Sequence, residues 1–414
     1  MATANSHKQT GNNSKPTLQR RLTLPLLTLY GLGVTVGAGI YVLIGATAAK
    51  AGYYAPVSFL LAAIVIAFTS FSYSELSTRY PVSAGEAAYV RDGFNSRTLA
   101  LVVGLMVAAS GVVSSAAISI GAAAYLGILV PVSPVILTIL IILVLGLAAT
   151  WGILESVTAA AIITVIEIGG LFYVVFYGFM LKPDLLSEIS RVIPPLELGA
   201  WTGIVSAGLL AFFAFVGFED MANVAEEVKN PRRTMPRAII YTLVIATAVY
   251  LAVVSVVILI VPMDILIKST APLSLVFENA GDQTKTIFSL IAAIATINGV
   301  LIQMIMASRV IYGLASQGSL PRILAYINPF THTPLVATAL VVVIILTLAL
   351  FLPIAKLAET TSLIVLIVFM SVNLALIRIK LKGIGSKQDI FEIPIWFPVL
   401  GFLSCLLLAL SALT

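Results

Sequence analysis

Charge is scarce in this 414-residue chain: lysine, arginine, aspartate and glutamate together make up 10% of it, against about a quarter of an ordinary soluble domain. With 60% apolar residues and a mean hydropathy of +1.10, a water-soluble globule is excluded. Cysteine is scarcer still. Cys405 is the single one, inside the last apolar run, so an intrachain disulfide and a cysteine-based metal site are both excluded. Histidine occurs twice, as His7 in the N-terminal tail and His332 in a loop, and both read as solvent-exposed and silent. The chain offers no Ser/His/Asp arrangement, no phosphate loop and no metal-ligand spacing, so no enzyme activity, metal or cofactor is expected. Residues 1–20 are polar and lack the apolar region of a secretory signal. The tail, 1–21, reads as disordered.

What is present is a series of apolar runs at about 23–49, 55–78, 98–129, 134–151, 157–180, 199–222, 236–261, 286–316, 334–353, 357–379 and 395–413. Each is long enough, at roughly 20 residues, to cross a bilayer as a helix, whereas barrel strands would need about 10 residues of alternating character. The expected fold is an all-α, polytopic membrane protein of about eleven spans. The pI near 9.2 does not call for nucleic acid, because 17 of the 23 basic residues fall in the tail, on one set of alternate loops or toward the run ends that adjoin those loops. By the positive-inside bias that side is cytoplasmic, which places the N-terminus on the cytoplasmic side of a cell membrane.

Two runs contain helix-weakening glycines. Gly31-Leu-Gly-Val-Thr-Val-Gly-Ala-Gly-Ile-Tyr41 places Gly37 and Gly39 in mid-span, where each costs roughly 1 kcal/mol relative to alanine. Alone, this fits a packing notch as well as a ligand site. Leu209-Leu-Ala-Phe-Phe-Ala-Phe-Val-Gly-Phe-Glu219 carries a second interruption at Gly217, five spans later. Two broken helices five apart imply five-plus-five inverted repeats, with the site near the midplane where the breaks meet. The expected units are 22–182 for the first repeat, 198–382 for the second and 383–414 for a loop and an extra helix.

At these residues the chain resembles the amino acid-polyamine-organocation (APC) superfamily, and within it the amino acid permeases. Val36-Gly-Ala-Gly-Ile-Tyr41 is similar to the family's first-helix motif. Phe212-Phe-Ala-Phe-Val-Gly-Phe-Glu219 followed by Ala225-Glu-Glu-Val-Lys-Asn-Pro-Arg-Arg-Thr-Met-Pro-Arg-Ala238 resembles its sixth helix and following loop. Ala307-Ser-Arg-Val-Ile-Tyr-Gly313 with Leu320-Pro-Arg322 resembles the end of its eighth helix, and Tyr73-Ser-Glu-Leu-Ser-Thr-Arg-Tyr-Pro81 with Gly85-Glu-Ala-Ala-Tyr89 its second-to-third connection. The family usually has twelve spans; the eleven here retain the transport core of ten.

An amino acid presents a carboxylate and an ammonium, and neither tolerates burial without a partner. Amides around Gly37, Ala38 and Gly39 can serve the carboxylate, where small residues let backbone approach closely. Carbonyls of Thr35, Phe213 and Val216 can serve the ammonium, as the matching positions do in the resembled family. The resemblance also makes Phe213 an aromatic lid over the substrate. The side-chain pocket is expected on segment three around Ala109 to Ser114, Ser110 included, and on segment eight near Asn298. With no acid evident on those faces, a neutral amino acid is favoured.

Glu167 lies ten residues into the 157–180 run, at a depth where an acid costs about 2.5–3.5 kcal/mol and marks ion or proton pathways. Proton-coupled relatives place a lysine at what looks like this position. Three roles are open to the glutamate: a proton carrier, part of a cation site with segment-one carbonyls and Ser308 or Asn298, or a permanently protonated structural group. Glu219 and its neighbours Asp220, Glu226 and Glu227 are expected in a solvated loop whose ion pairs help close the inner gate. The expected function is alternating-access transport of a neutral amino acid by proton-coupled symport or exchange, with a proton or sodium as coupling ion. The alternatives are a polyamine or other organic-cation transporter and a nontransporting amino-acid sensor. Oligomeric state is left open.

Overall fold

The structure, a computed structural model, describes residues 20–37, 39–81, 85–151, 157–383 and 390–412. Ala38, one of the expected main-chain donors, lies outside the described residues, as do His7 and most of the tail. The apolar runs are helical, because backbone groups in hydrocarbon must be bonded within the segment itself, and eight helices among the described residues are long and apolar enough to cross a membrane. The first span is split into α1 (Leu24–Val36) and α2 (Gly39–Ala51). α3 (Ala55–Arg79) follows, and a short α4 (Gly85–Phe94) links it to α5 (Arg97–Leu129), α6 (Pro134–Trp151) and α7 (Val157–Leu181). α8 (Leu198–Phe213) ends in a turn at 214–217 and continues as a 3-10 stretch over Phe218–Glu227. Then come α9 (Pro231–Ile260), a four-residue α10 (Met263–Leu266), α11 (Asp282–Ser316), α12 (Leu335–Phe351), α13 (Ile354–Leu381) and α14 (Trp396–Leu410).

Local chemistry sets the helix starts. Pro56, Pro134 and Pro231 occupy the first turns of their helices, where a missing N–H leaves nothing unbonded. Ser96 caps α5, its hydroxyl accepting from the Leu99 amide at 3.2 Å. Five spans from the first broken helix bring the chain to the second from the opposite face, which makes the architecture a five-plus-five inverted repeat. α5 and α11, with 33 and 35 residues, pack against each other as the long struts of the bundle. At 1.5 Å per residue each is about 50 Å long, more than the roughly 30 Å hydrocarbon thickness. The broken helices lie inside this frame, α1 against α7 and α9 and α2 against α8.

Both ends of the broken helices are tied down. Ahead of α1, Leu22 forms a single parallel bridge with Val228: its amide donates to the Glu227 carbonyl at 2.9 Å, and its carbonyl accepts from Lys229 N at 2.8 Å. At the opposite end, Lys50 at the close of α2 pairs with Glu359 near the start of α13 at 2.6 Å.

α3, α13 and α14 are joined by buried polar contacts. The Asn373 amide nitrogen donates to Thr69 Oγ1 at 2.9 Å, and Ser72 donates to Asn373 Oδ1 at 2.7 Å. α14 packs tightly here, since a Cβ on Gly401 would stand 2.7 Å from Asn373 Oδ1. One helical turn on, the fully buried Glu75 accepts from Arg79 Nε at 2.8 Å and, on its second oxygen, from Lys380 at 2.7 Å and the Ile393 amide at 2.9 Å. The i,i+4 pairing of Glu75 with Arg79 follows from sequence; Lys380 and Ile393 are supplied by the fold.

Candidate functional site

The two helix breaks interlock through their glycines. A Cβ on Gly39 would run into Ala214, 2.8 Å from its Cβ and 2.9 Å from its amide nitrogen. Reciprocally, a Cβ on Gly217 would lie 2.8 Å from both the Val34 carbonyl oxygen and Val34 Cγ1. Gly217 also has φ of +122°, a backbone conformation that side chains disfavour. Around it α8 tightens: the amides of Ala214, Phe215 and Val216 donate to carbonyls three residues back, at 3.0–3.1 Å. This i→i+3 pattern departs from the α-helical ladder and turns the chain into the 3-10 stretch. Glu219 caps the turn, its Oε2 accepting from the Gly217 amide at 2.8 Å.

Tyr250 of α9 spans both breaks. Its hydroxyl lies 2.9 Å from the Thr35 carbonyl and 2.8 Å from the Ala214 carbonyl, so one phenolic proton is shared between α1 and α8. The side chain is fully buried, with Phe215 edge-on to its ring at 4.9 Å. Sequence reasoning passed over Tyr250, although a tyrosine within an apolar run signals a hydroxyl in need of a partner.

Two narrow cavities adjoin the breaks. The first is lined by Val34, Ser114, Ile118, Phe213, Val216 and Ile302. Phe213 and Val216 both line this cavity, and Phe213 is only 2% exposed. The second cavity is lined by Glu86, Ser110, Glu219, Asp220 and Phe369 among others, and Gln303 borders both. Ser110 therefore belongs to the second chamber, with its hydroxyl donating to the Val107 carbonyl at 2.8 Å. Ser114, one turn further on, is the serine of the first.

Three expectations are overturned here. Glu219 and Asp220 are not solvated: they are 8% and 4% exposed, because the 3-10 stretch turns them into the bundle toward α11. Asp220 Oδ2 accepts from Gln303 Nε2 at 3.3 Å, and Asn223 lies 3.5 Å from Oδ1. Nor does the chamber beside Ser110 lack acids, since Glu86, Glu219 and Asp220 meet there from α4 and the 3-10 stretch rather than from segments three and eight. Glu86, on α4 outside the spans, accepts from the Tyr73 hydroxyl at 3.1 Å, and burial pushes its carboxyl up to about 7. Ser308, offered as a cation ligand, stands ten residues from Asn298 on α11, about 15 Å along the axis, and donates to the Ile305 carbonyl.

Glu167 lies behind the α1 break. It is fully buried; its Oε1 accepts from Asn298 Nδ2 at 3.1 Å and stands 3.5 Å from where a Cβ on Gly37 would be. Its Oε2 has no hydrogen-bond partner among the described residues. Tyr41 of α2 donates to the Glu167 carbonyl at 2.7 Å. The carboxyl group thus touches the break from the α7 side, and Val34 of α1 faces the first cavity.

Residues 23–414 match the family model described as amino acid permease. The chain belongs to the amino acid permease family. Consistent with this multi-pass membrane architecture, the permease is 28% identical to the branched-chain amino acid permease BcaP of Bacillus subtilis strain 168 over 96% of this chain and 89% of that protein. It is 30% identical to cationic amino acid transporter 3, mitochondrial, of Arabidopsis thaliana over 88% of this chain, which spans 63% of the plant protein's length. In fold it is similar to the crystal structure of a mutant manganese transporter of Eremococcus coleocola, with a TM-score of 0.65, 14% identity, and coverage of 98% of this chain and 90% of that one.

Removing the Tyr250 hydroxyl tests the bridge between the breaks. Two buried carbonyls would lose a donor, at a cost of about 1–3 kcal/mol. Tyr250→Phe in the permease is expected to slow uptake into proteoliposomes by about tenfold, roughly 1.4 kcal/mol. Wild-type uptake would show that the two carbonyls do not depend on the phenol.

Proposed function

We propose that the permease carries an α-amino acid across the cell membrane by alternating access, with its N-terminus cytoplasmic and its repeats spanning 22–182 and 198–382. The interlocked breaks, with Gly39 on Ala214 and Gly217 on Val34, carry this reading. They bring main-chain groups of 35–37, 39 and 213–216 to one place, where amides meet a carboxylate and carbonyls meet an ammonium. Phe213 closes over the ligand. The first cavity, largely apolar, suits a neutral side chain, in keeping with the branched-chain relative.

A basic substrate is the second reading. The carboxylates of Glu86, Glu219 and Asp220 beside Gln303, together with the cationic transporter relative, favour it. Uptake of labelled leucine and labelled lysine into proteoliposomes separates the two. Leucine alone supports the first reading, lysine alone the second, and uptake of neither overturns both.

Coupling is assigned to a proton at Glu167. A carboxyl group at this depth is costly when ionised, and its Oε2, which has no hydrogen-bond partner among the described residues, is where a proton can arrive and leave. Protonation changes what the carboxyl asks of the break, and the break is also one wall of the substrate site. Glu167→Gln is expected to abolish accumulation driven by a proton gradient, by about tenfold or more, while exchange of internal for external substrate continues. Unchanged proton-driven uptake would remove Glu167 from coupling.

A further inference from the structure

Asn298 entered the sequence reading as part of the substrate pocket. On α11, Gly299, Ile302 and Gln303 border the first cavity. Successive residues on a helix project about 100° apart, and Asn298 projects instead toward α7, its Nδ2 3.1 Å from Glu167 Oε1. One turn before it, the Ala295 carbonyl lies 3.5 Å from the Cβ position of Gly37. The asparagine is 7% exposed. Other groups around Glu167 are committed elsewhere: Tyr41 of α2 donates to the Glu167 carbonyl, Tyr250 of α9 to the two breaks, and Tyr125 of α5 to the Tyr41 carbonyl at 2.6 Å. Asn298 bonds the carboxyl group itself.

We propose that Asn298 is a positioning residue for Glu167, a carboxamide that pairs with the carboxyl group in both of its protonation states and holds it against the α1 break through the transport cycle. A side-chain amide offers both a donor and an acceptor. As it stands, Nδ2 donates to a carboxylate oxygen. When the carboxyl is protonated, rotation about the terminal bond presents Oδ1 to accept from its O–H. Leucine does neither, and an ammonium or a second carboxylate serves one state better than the other. With the amide in place one carboxyl oxygen keeps its partner as the proton comes and goes, and the carboxyl keeps its place behind Gly37. The inference rests on the proton reading of Glu167.

The test uses the full-length protein in proteoliposomes, with protons moved per labelled amino acid and the dissociation constant of that amino acid both measured. Asn298→Leu is expected to lower the proton-to-substrate ratio at least about threefold while substrate binding changes less than about twofold, the split that marks a group acting away from the ligand. Asn298→Gln, which retains the carboxamide, is expected to restore part of the ratio. Infrared difference spectra provide a readout independent of flux: the carboxyl stretch assigned to Glu167 by its loss in Glu167→Gln should shift in Asn298→Leu. Should Asn298→Leu fail to fold, Asn298→Ser, smaller and still polar, is read in the same way, since its hydroxyl is too short to reach. Weakened substrate binding with an unchanged ratio would return Asn298 to the pocket and overturn the proposal. So would an unchanged ratio with an unmoved carboxyl band. Glu167→Gln separates the two levels: proton movement persisting there defeats the reading of Glu167, whereas proton movement lost there but intact in Asn298→Leu defeats only the role of Asn298.

Discussion

Gly39→Ala is expected to abolish transport, and Gly169→Ala to leave it intact. At position 39 the added methyl meets Ala214 main-chain and side-chain atoms within 3 Å, and backbone cannot rotate aside as a flexible side chain can. Overpacking of this kind costs about 1–3 kcal/mol when the surroundings absorb it. Here the surroundings are the other half of the proposed binding site, so relief comes by pushing the two breaks apart. Gly169, two residues beyond Glu167 on α7, has no neighbour within 4 Å of its Cβ position. Alanine there gains up to about 1 kcal/mol of helix propensity. Uptake into proteoliposomes checks the pair, with melting temperatures to confirm folding. Equal uptake by Gly39→Ala and wild type would mean that the breaks are not in contact during transport.

The second large effect lies outside the substrate site. Glu75→Ala is expected to lower the melting temperature in detergent steeply, because removing one partner from a buried ion cluster costs about 3–5 kcal/mol. Glu75 is fully buried, and its loss would leave the Lys380 ammonium, 14% exposed, without its carboxylate, while the Arg79 guanidinium would keep Glu392 at 3.2 Å. The Ile393 amide would lose its acceptor as well, freeing the segment that leads into α14. The double variant Glu75→Met with Lys380→Met should recover part of the loss, since an apolar pair of similar volume avoids the stranded charge. An unchanged melting temperature in Glu75→Ala would show that the cluster does not hold α3, α13 and α14 together.

Much of this architecture was readable from the sequence because the bilayer leaves a chain few choices. Apolar runs of span length become helices, and the expected runs at 98–129, 134–151 and 157–180 agree with α5, α6 and α7 to within one residue. The interruptions were legible too, since glycine is the residue that permits both the φ of +122° at Gly217 and the approach of Gly39 to Ala214. Burial of Glu167 followed from its depth. What escaped was set by rotation and by distance along the chain. Asn298 and Gly299 are adjacent in sequence, yet one faces Glu167 and the other the cavity. Glu86 sits on α4 and Asp220 on the 3-10 stretch, and only tertiary packing brings them into one chamber. Ile393 reaches Glu75 across 318 residues. Asp220 misled because acids beside a basic loop usually lie in water, whereas a 3-10 turn after Gly217 points this one inward.

Binding of leucine and of its end-blocked derivatives to the purified protein, measured by calorimetry, addresses the central claim directly. If main-chain groups at the two breaks hold the ammonium and the carboxylate, leucine binds. N-acetyl-leucine and leucinamide, each lacking one charged end, should then lose about 1.5–3 kcal/mol of charged hydrogen bonding, roughly ten- to a hundredfold in affinity. Leucine and both derivatives binding equally well would contradict recognition of the amino-acid backbone at these breaks.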